Sequence, residues 1–479
     1  MYSLDADRPT DPETATVAVV GGGSRNWGRV LANDLARTGD LAGTVRLYDV
    51  DPESARRNVE LGERFLDHPD AVGDWTYEAV DSLAAALSGA DFVVCSTQDP
   101  PGETFVHDLE IPAEYGIQQT VGDTVGPGGA FRALRAIPQY REVAAAVREH
   151  CPDAWVLNYT NPMTVCTRTL SEEYPEINAI GLCHEVYHTQ GWLADLVERH
   201  LGVERPDSDA IDLDVTGVNH FTWVDRARWN GHDLLELVDA ELAERDPGER
   251  FAAGDNRVAD ASVFVDNNEV TLDLYDRFGV LPAAGDRHLV EFVPWYLAVD
   301  ERPAINRWGI RFTPAEYRAD HWDRGRRERE ALLSGEQAVE LEESGEKLVD
   351  IMRALAGLGP LKTNVNTVNR GQAPDLPKGA VVETNALVTG DTVTPLTASP
   401  LPETVRTHVD RHVSNQETLV EAGFAGDLDL AFEAFCNDPL VTLDPHDARD
   451  LFADLVAAER PYLTDYDLDG ASVLDGRDV

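Results

Sequence analysis

Short β-branched and apolar runs alternate with helical patterns along the first two hundred residues. Between the runs, apolar positions recur at helical spacing, for example over residues 131–149. Strands that alternate with helices favour a mostly parallel sheet. The pattern predicts a Rossmann-like, doubly wound parallel sheet, of class α/β, over residues 1–200. Its strand candidates are residues 16–20, 45–48, 92–95, 154–157 and 179–182.

The pattern changes near residue 200. Residues 212–218 alternate polar and apolar positions, and residues 324–358 form a charged helical stretch. Residues 363–395 are rich in Asn, Thr and Val, which indicates antiparallel strands. We therefore expect a second, α+β domain over residues 201–465, followed by an acidic tail over residues 466–479.

Composition limits the class of protein. A chain of 479 residues, 43% of them hydrophobic, can bury a large core. No stretch approaches the roughly twenty apolar residues that cross a bilayer, and the N-terminus lacks an apolar signal segment. The five cysteines are odd in number and widely spaced, which fits reduced thiols better than disulfides. We expect a cytoplasmic protein that does not act at a membrane.

The formal net charge is −47, and only 40 residues are Lys or Arg. Such self-repulsion destabilises a compact chain in dilute buffer, whereas molar salt shortens the screening length to about 3 Å. The charge therefore predicts a halophile's salt-rich cytoplasm. It also argues against nucleic acid as a partner, because binding to phosphates needs clustered Lys and Arg.

A glycine-rich turn follows the first predicted strand. Glycines let the backbone approach a pyrophosphate closely, and the next helix offers its N-terminal amides. Asp49, after the second strand, is placed to accept from ribose hydroxyls, which favours NAD over NADP. Asn26 occupies the position of the fingerprint's third glycine, so a tight turn without a ligand is the alternative. The predicted cofactor residues are Gly21, Gly22, Gly23, Ser24 and Asp49.

Cys183 and His184 follow an apolar strand, at the sheet edge where open α/β folds place their ligands. His220 ends another strand-like segment. Read one at a time, Cys183 is a small buried residue and His220 a structural histidine. The polar loop residues Asp123, Asn161 and Asp286 have the same open alternative, that of capping backbone groups.

Taken together and in order, these motifs resemble family 4 of the glycoside hydrolases, over about residues 14–460. The resemblance implies a fold like that of lactate and malate dehydrogenases, dependence on NAD and a divalent metal, usually manganese, and homodimers or homotetramers. The motifs are the glycine turn with Ser24, Gly122-Asp123-Thr124, Asn161-Pro162, Gly181-Leu182-Cys183-His184, Gly217-Val218-Asn219-His220 and Gly285-Asp286.

The resemblance also implies a mechanism outside the paired-carboxylate pattern of most glycosidases. NAD takes hydride from C3 of the sugar, a base removes the acidified C2 proton, the glycosidic oxygen leaves, water adds at C1 and the hydride returns. The metal polarises the C2 and C3 oxygens. By resemblance its ligands are Cys183 and His220, although a thiolate is a soft ligand for manganese.

The remaining roles are also implied by resemblance. His184 matches the general acid, Asp286 the base that removes the C2 proton, and Asp123 and Asn161 contact sugar or metal. Members that act on 6-phosphorylated sugars usually carry Asp or Asn after the metal cysteine, so His184 implies an unphosphorylated α-glycoside.

Residues 281–292 and 364–385 look most like the α-galacturonidase branch of the family. A uronate carboxylate suits an arginine fork, and Arg287 is the candidate, with an ion pair to a neighbouring acid as the alternative. The predicted activity is thus α-galacturonidase. Neutral α-glucosidase or α-galactosidase, a 2-hydroxy acid dehydrogenase and a non-catalytic NAD sensor remain as alternatives.

Overall fold

The computed structural model describes residues 10–97, 103–244, 267–297, 308–310 and 315–476. Their strands are β1 Ala15–Val20, β2 Ala42–Tyr48, β3 Asp74–Ala79, β4 Phe92–Cys95, β5 Trp155–Asn158, β6 Asn178–Gly181, β7 Asp212–Val218, β8 Phe221–Trp229, β9 His232–Asp233, β10 Leu281–Pro282, β11 Leu361–Val368, β12 Val381–Thr389 and β13 Thr392–Pro395. Their helices are α1 Trp27–Ala36, α2 Pro52–Leu66, α3 Leu83–Leu87, α4 Glu103–Glu114, α5 Gly126–His150, α6 Met163–Glu173, α7 Glu185–Leu201, α8 Leu235–Glu244, α9 Glu269–Phe278, α10 Asp286–Phe292, α11 Ala315–Ser334, α12 Leu348–Leu355, α13 Glu403–Ala425, α14 Leu428–Asn437 and α15 Pro445–Glu459.

The N-terminal strands form the parallel sheet that the sequence predicts. Their spatial order is β3-β2-β1-β4-β5-β6, and every neighbouring pair is parallel. This order is typical of dinucleotide-binding folds, whose ligand crevice lies at the carboxyl ends of the strands. β4 and β5 are buried at every residue, because helices cover both faces of the sheet. The predicted α/β fold class is confirmed.

The later strands extend the same sheet in antiparallel fashion. The order continues from β6 through β11, β12, β7 and β8 to β10. Asn366 of β11 pairs with Gly181 of β6, so one sheet runs through both halves of the chain. The antiparallel strands predicted over residues 363–395 are confirmed as β11 to β13. The division at residue 200 stays a prediction, since the strand direction changes there but the sheet does not end.

Two expectations need correction. The single charged helix expected over residues 324–358 is instead α11 and α12, and the residues between them are not helical. Gly335 and Gly345 lie in that connection with φ of 78° and 76°, a region that glycine adopts without steric cost.

The second correction concerns the predicted tail, because its described part, up to residue 476, packs against the core. Tyr466 is buried and its hydroxyl donates to the Leu134 carbonyl at 2.7 Å, while Val473 and Leu474 are also buried. Alternating acidic and apolar positions in this segment serve packing as well as solvation.

The five cysteines are free thiols, as expected, and four of them are buried. Within the described part of the chain, no helix combines the length and apolar character that a membrane crossing requires.

Candidate active site

The glycine turn connects β1 to α1 and leaves no room for side chains. Gly21 has φ of 89°, and a Cβ there would lie 2.2 Å from the Ser96 carbonyl oxygen. A Cβ on Gly22 would lie 2.8 Å from Leu47 Cα. The amides of Gly21 and Gly22 both donate to the Tyr48 carbonyl, at 3.0 and 2.8 Å, which folds the turn against the end of β2.

Asp49 lies at the carboxyl end of β2, beside this turn. One carboxylate oxygen accepts from the Gly23 amide at 2.9 Å, and the other accepts from the Asp51 amide at 2.8 Å. Ser24 Oγ accepts from the Trp27 amide at 3.3 Å, at the start of α1. The structure therefore brings all five predicted cofactor residues together, and their role toward NAD stays a prediction.

A chain of hydrogen bonds links the predicted substrate residues to His220. Asn161 Nδ2 donates to Asp123 Oδ2 at 3.2 Å, and Thr124 Oγ1 donates to Asp123 Oδ1 at 2.7 Å. Thr124 Oγ1 also lies 3.1 Å from His220 Nδ1. The single hydroxyl proton goes to the carboxylate, so Thr124 accepts from Nδ1–H of His220. The neutral imidazole therefore presents an unprotonated Nε2, the form that binds a metal.

His288 completes a group of three possible ligands. The rings of His220 and His288 stack with centroids 3.8 Å apart, and ligand atoms of Asp123, His220 and His288 all lie within 4.8 Å of one another. Burial and the neighbouring His220 lower the pKa of His288 to about 3, against the opposing effect of Glu185. Burial also lowers the pKa of His220. Both imidazoles are therefore neutral near pH 7, as metal ligands must be.

An unpartnered buried amide oxygen beside this group fits a cation or a sugar. Asn161 Oδ1 has no hydrogen-bond partner among the described residues, and the nitrogen of the same amide donates to Asp123. A buried polar atom without a partner costs about 1–3 kcal/mol, so such an atom beside three possible ligands is typical of a site completed by a ligand. His220 itself has φ of 64°, which places its side chain at the tight connection between β7 and β8.

Cys183 follows β6 and is buried. Burial, with the charges of Glu383 and Glu185, raises the pKa of its thiol, and Asn219 opposes that rise. Binding of a cation to this sulfur would therefore release a proton. The sulfur belongs to neither of the two groups of three ligand atoms that the described residues form, so the predicted pairing of Cys183 with His220 stays a prediction.

His184 lies at the N-terminus of α7 and is accessible. Its side chain is 46% exposed and lines a groove of about 1180 Å³. Burial opposes the charged form of the ring, but Glu346, 3.4 Å from Nδ1, and Glu185 outweigh it and raise the pKa of His184. A histidine with a raised pKa at the edge of a groove suits a general acid.

Glu185 is a site residue that the sequence interpretation missed. One carboxylate oxygen accepts from the Gly285 amide at 2.6 Å. The other lies 3.7 Å from His184 Nε2, 3.7 Å from His188 Nδ1 and 3.9 Å from His288 Nε2. This buried carboxylate thus connects α7 to the segment that carries His288.

Asp286 is the first residue of α10, and its carboxylate faces α9. Its oxygens accept from the Val270 amide at 3.1 Å, the Thr271 amide at 2.9 Å and the Thr271 hydroxyl at 2.8 Å. These bonds satisfy amides that the first turn of a helix leaves free. The carboxylate therefore has a structural task as a cap, and its predicted role as the base stays a prediction.

Arg287 and Glu291 hold the loop that carries Asp123. Arg287 Nη2 donates to the Thr120 carbonyl at 3.0 Å. Glu291, also missed, accepts from the amides of Val121 and Gly122 at 2.6 and 3.0 Å. Burial raises the pKa of Glu291 to about 7. Arg287 is itself buried, so its predicted contact with a uronate carboxylate stays a prediction.

The fold and these groups define an α/β protein with a dinucleotide-type turn and a histidine-rich polar centre. The family model described as Family 4 glycosyl hydrolase matches residues 16–199, and the model for the family's C-terminal domain matches residues 215–441. The chain therefore belongs to family 4 of the glycosyl hydrolases.

Particular relatives cover nearly the whole chain. The chain is 44% identical over 448 residues to an α-galacturonidase of Thermoanaerobacterium saccharolyticum, covering 94% of this chain and 96% of the relative. The crystal structure of the Bacillus subtilis protein lplD is similar, with a TM-score of 0.87 and 42% identity over 92% of this chain and 100% of that one. A 6-phospho-α-glucosidase from gut microorganisms, solved with NAD and Mn²⁺, shares the fold, with a TM-score of 0.76 and 19% identity over 94% of this chain and 99% of that one.

Proposed function

We propose that this protein hydrolyses α-galacturonides and requires NAD and a divalent cation, with manganese as the first choice. One observation carries the proposal: hydrogen bonds link Asn161, Asp123, Thr124 and His220 in a chain. This chain leaves two atoms to bind a cation, the unprotonated Nε2 of His220 and the buried Oδ1 of Asn161, which has no partner among the described residues. The identity of 44% to an α-galacturonidase supports the substrate class. The structure of the gut 6-phospho-α-glucosidase with NAD and Mn²⁺ supports the choice of cofactors.

The residues present fit both groups. The glycine turn and Asp49 would hold NAD, while His220, with Asp123, His288 and Cys183, would hold the cation. When bound, NAD supplies reversible oxidation at C3 of the sugar, and the cation supplies Lewis-acid polarisation of the neighbouring oxygens.

His184 acts as the general acid in this proposal. Its raised pKa extends the pH range in which the imidazole holds a proton, and its exposure on the groove lets it reach the glycosidic oxygen of a bound sugar. Glu185 and Glu346 lie on either side of the ring and orient it. Proton donation to the leaving oxygen is the step we assign to His184.

Asp286 remains our candidate for the base, and its cap allows a clean test. In Asp286→Asn the amide oxygen can still accept from the Thr271 amide, but the Val270 amide loses its acceptor, so we expect the free energy of unfolding to fall by about 1–3 kcal/mol. Loss of a base should lower kcat by about a hundredfold. Denaturant unfolding and turnover of the same preparation check both numbers. Turnover close to that of the unchanged protein would leave Asp286 only the capping role.

Substrate choice is tested with nitrophenyl α-glycosides in the presence of NAD, Mn²⁺ and a reductant. We expect release of nitrophenol from the α-galacturonide, loss of that activity with a chelator, and no net NADH. Activity confined to the neutral α-galactoside or α-glucoside would overturn the uronate assignment. Stoichiometric NADH from a 2-hydroxy acid, without glycoside cleavage, would replace the hydrolase with a dehydrogenase.

We further propose a homodimer or homotetramer that acts in the cytoplasm. The family resemblance supports the assembly, and five free thiols support a reducing compartment. Light scattering of the purified chain across a range of salt concentrations tests the assembly. A monomer at every concentration would contradict it.

A further inference from the structure

Asn58 of α2 is buried directly against the glycine turn. Its single amide nitrogen donates to the Gly22 carbonyl and to the Ser24 carbonyl, both at 2.8 Å. Gly28, at the start of α1, leaves the space for this contact, because a Cβ there would lie 2.4 Å from Asn58 Nδ2. One side chain thus fixes two carbonyls of the predicted cofactor turn.

Arg329 of α11 holds Asn58 in this orientation. Its Nη1 donates to Asn58 Oδ1 at 3.0 Å and to the Ser54 carbonyl at 3.4 Å. Arginine has no acceptor atom, so the oxygen of Asn58 must face Arg329 and the nitrogen must face the turn. The contact joins residues that are 271 positions apart in the sequence.

Arg329 also places a buried positive charge behind the turn. It is 5% exposed, and its Nε has no hydrogen-bond partner among the described residues. The Glu330 carboxylate lies 3.9 Å from that nitrogen and is half exposed, so it neutralises the guanidinium only in part. In a chain of net charge −47, a local cation counters the general repulsion of an anionic dinucleotide.

We propose that Asn58 and Arg329 are positioning residues that set the affinity of the glycine turn for a dinucleotide. The inference rests on the cofactor site of the proposed function and extends it to α11, whose docking on α2 shapes the turn. Their hydrogen bonds go to the turn, to each other and to the Ser54 carbonyl, and not to Asp123, His220 or His288. Their effect therefore falls on dinucleotide binding and not on turnover at saturation.

Calorimetric titration with NAD alone, at fixed salt and without sugar, tests this inference. Asn58→Asp keeps the shape but removes the donor, and Arg329→Gln removes the charge. We expect each change to raise the Kd for NAD by about tenfold, the effect of losing one or two hydrogen bonds, with kcat at saturating NAD within about twofold. Arg329→Lys keeps the positive charge but lacks the forked guanidinium, so its Kd for NAD should lie between those of the unchanged protein and Arg329→Gln.

Arg57→Ala is the matched control. Arg57 joins the same two helices through Glu330 on the exposed side, with its Nε 3.1 Å from Glu330 Oε1, and it also donates to Glu60 of its own helix. We expect its Kd for NAD to match that of the unchanged protein. An equal rise in Arg57→Ala would show that helix docking alone matters, which would overturn the role of the Asn58 contact.

The remaining outcomes separate the two proposals. If the unchanged protein binds NAD and both Asn58→Asp and Arg329→Gln bind it equally well, the positioning role is wrong and the proposed function stands. If the unchanged protein binds no NAD, the proposed function itself fails. If Asn58→Asp does not fold, the two Arg329 variants decide, with thermal unfolding as the check on their fold.

Discussion

The glycine turn and the histidine centre are built in different ways. The turn is one short segment, in which Gly21 and Gly22 fold against Tyr48 and Ser96 through backbone contacts. The histidine centre draws Asp123, His220 and His288 from three distant segments and joins them by side-chain bonds. A site made of backbone depends on the absence of side chains, whereas a site made of side chains depends on tertiary packing.

Removal of a ligand should give the largest effect. His220→Ala removes the nitrogen that the Thr124 bond prepares, so we expect Mn²⁺ binding to be lost and turnover to fall by about a thousandfold. NAD binding should not change, because the glycine turn that would hold NAD does not include His220. Titration with Mn²⁺ followed by electron paramagnetic resonance, beside calorimetry with NAD, checks both halves. Normal Mn²⁺ binding in this variant would show that His220 is not a ligand of the cation.

Replacing the proposed general acid, His184, should cause the second largest loss of activity. His184→Gln keeps a polar side chain but holds no transferable proton, so kcat should fall by about a hundredfold. The pKa of His184 is raised, so the acid form persists above the ordinary histidine range and activity declines only as pH rises through that higher value. The pH profile of kcat/KM should therefore lose its alkaline limb in the variant. An unchanged alkaline limb would assign it to another group.

A change in the glycine turn should weaken NAD binding and spare Mn²⁺ binding, the reverse of the effect expected for His220→Ala. In Gly21→Ala the new Cβ meets the Ser96 carbonyl and the backbone keeps φ near 89°, which costs about 2 kcal/mol or more. We expect the Kd for NAD to rise by about thirtyfold while Mn²⁺ binding is unchanged. Loss of both ligands in this variant, with the fold intact, would mean that the two sites are coupled.

The smallest effect should come from the residue that prepares His220. Thr124→Val has nearly the same shape but cannot accept from His220 Nδ1, so we expect about tenfold weaker Mn²⁺ binding. Thr124→Ser keeps the hydroxyl and is the matched control. Equal affinities in the two variants would show that the Thr124 bond does not fix the histidine.

The same contrast explains what could be predicted from the sequence. The parallel strands and the glycine turn follow from local patterns, and the fold class predicted from them is confirmed. His288 could not be found in this way, because its place beside His220 depends on how α10 packs against the loop around residue 122. The sequence around Asp286 predicts only a possible base. That its carboxylate caps the start of α9 depends on how α9 packs against α10, which the sequence does not show.

Glu185 and Glu291 lacked any local signal for the same reason. Each occupies a helix in a protein with 87 acidic residues, where one more carboxylate suggests only a solvated surface. Their burial and their bonds to the amides of Gly285 and Val121 are products of long-range packing. The strands at the sheet's centre needed no such information, because a run buried on both faces is apolar throughout.

Anomalous diffraction at the manganese edge, from crystals soaked with Mn²⁺ and NAD, tests the central claim most directly. We expect one strong peak within bonding distance of His220 Nε2, beside Asp123 and His288, with NAD density along the glycine turn. A peak elsewhere, or clear NAD density with no peak near His220, would contradict it.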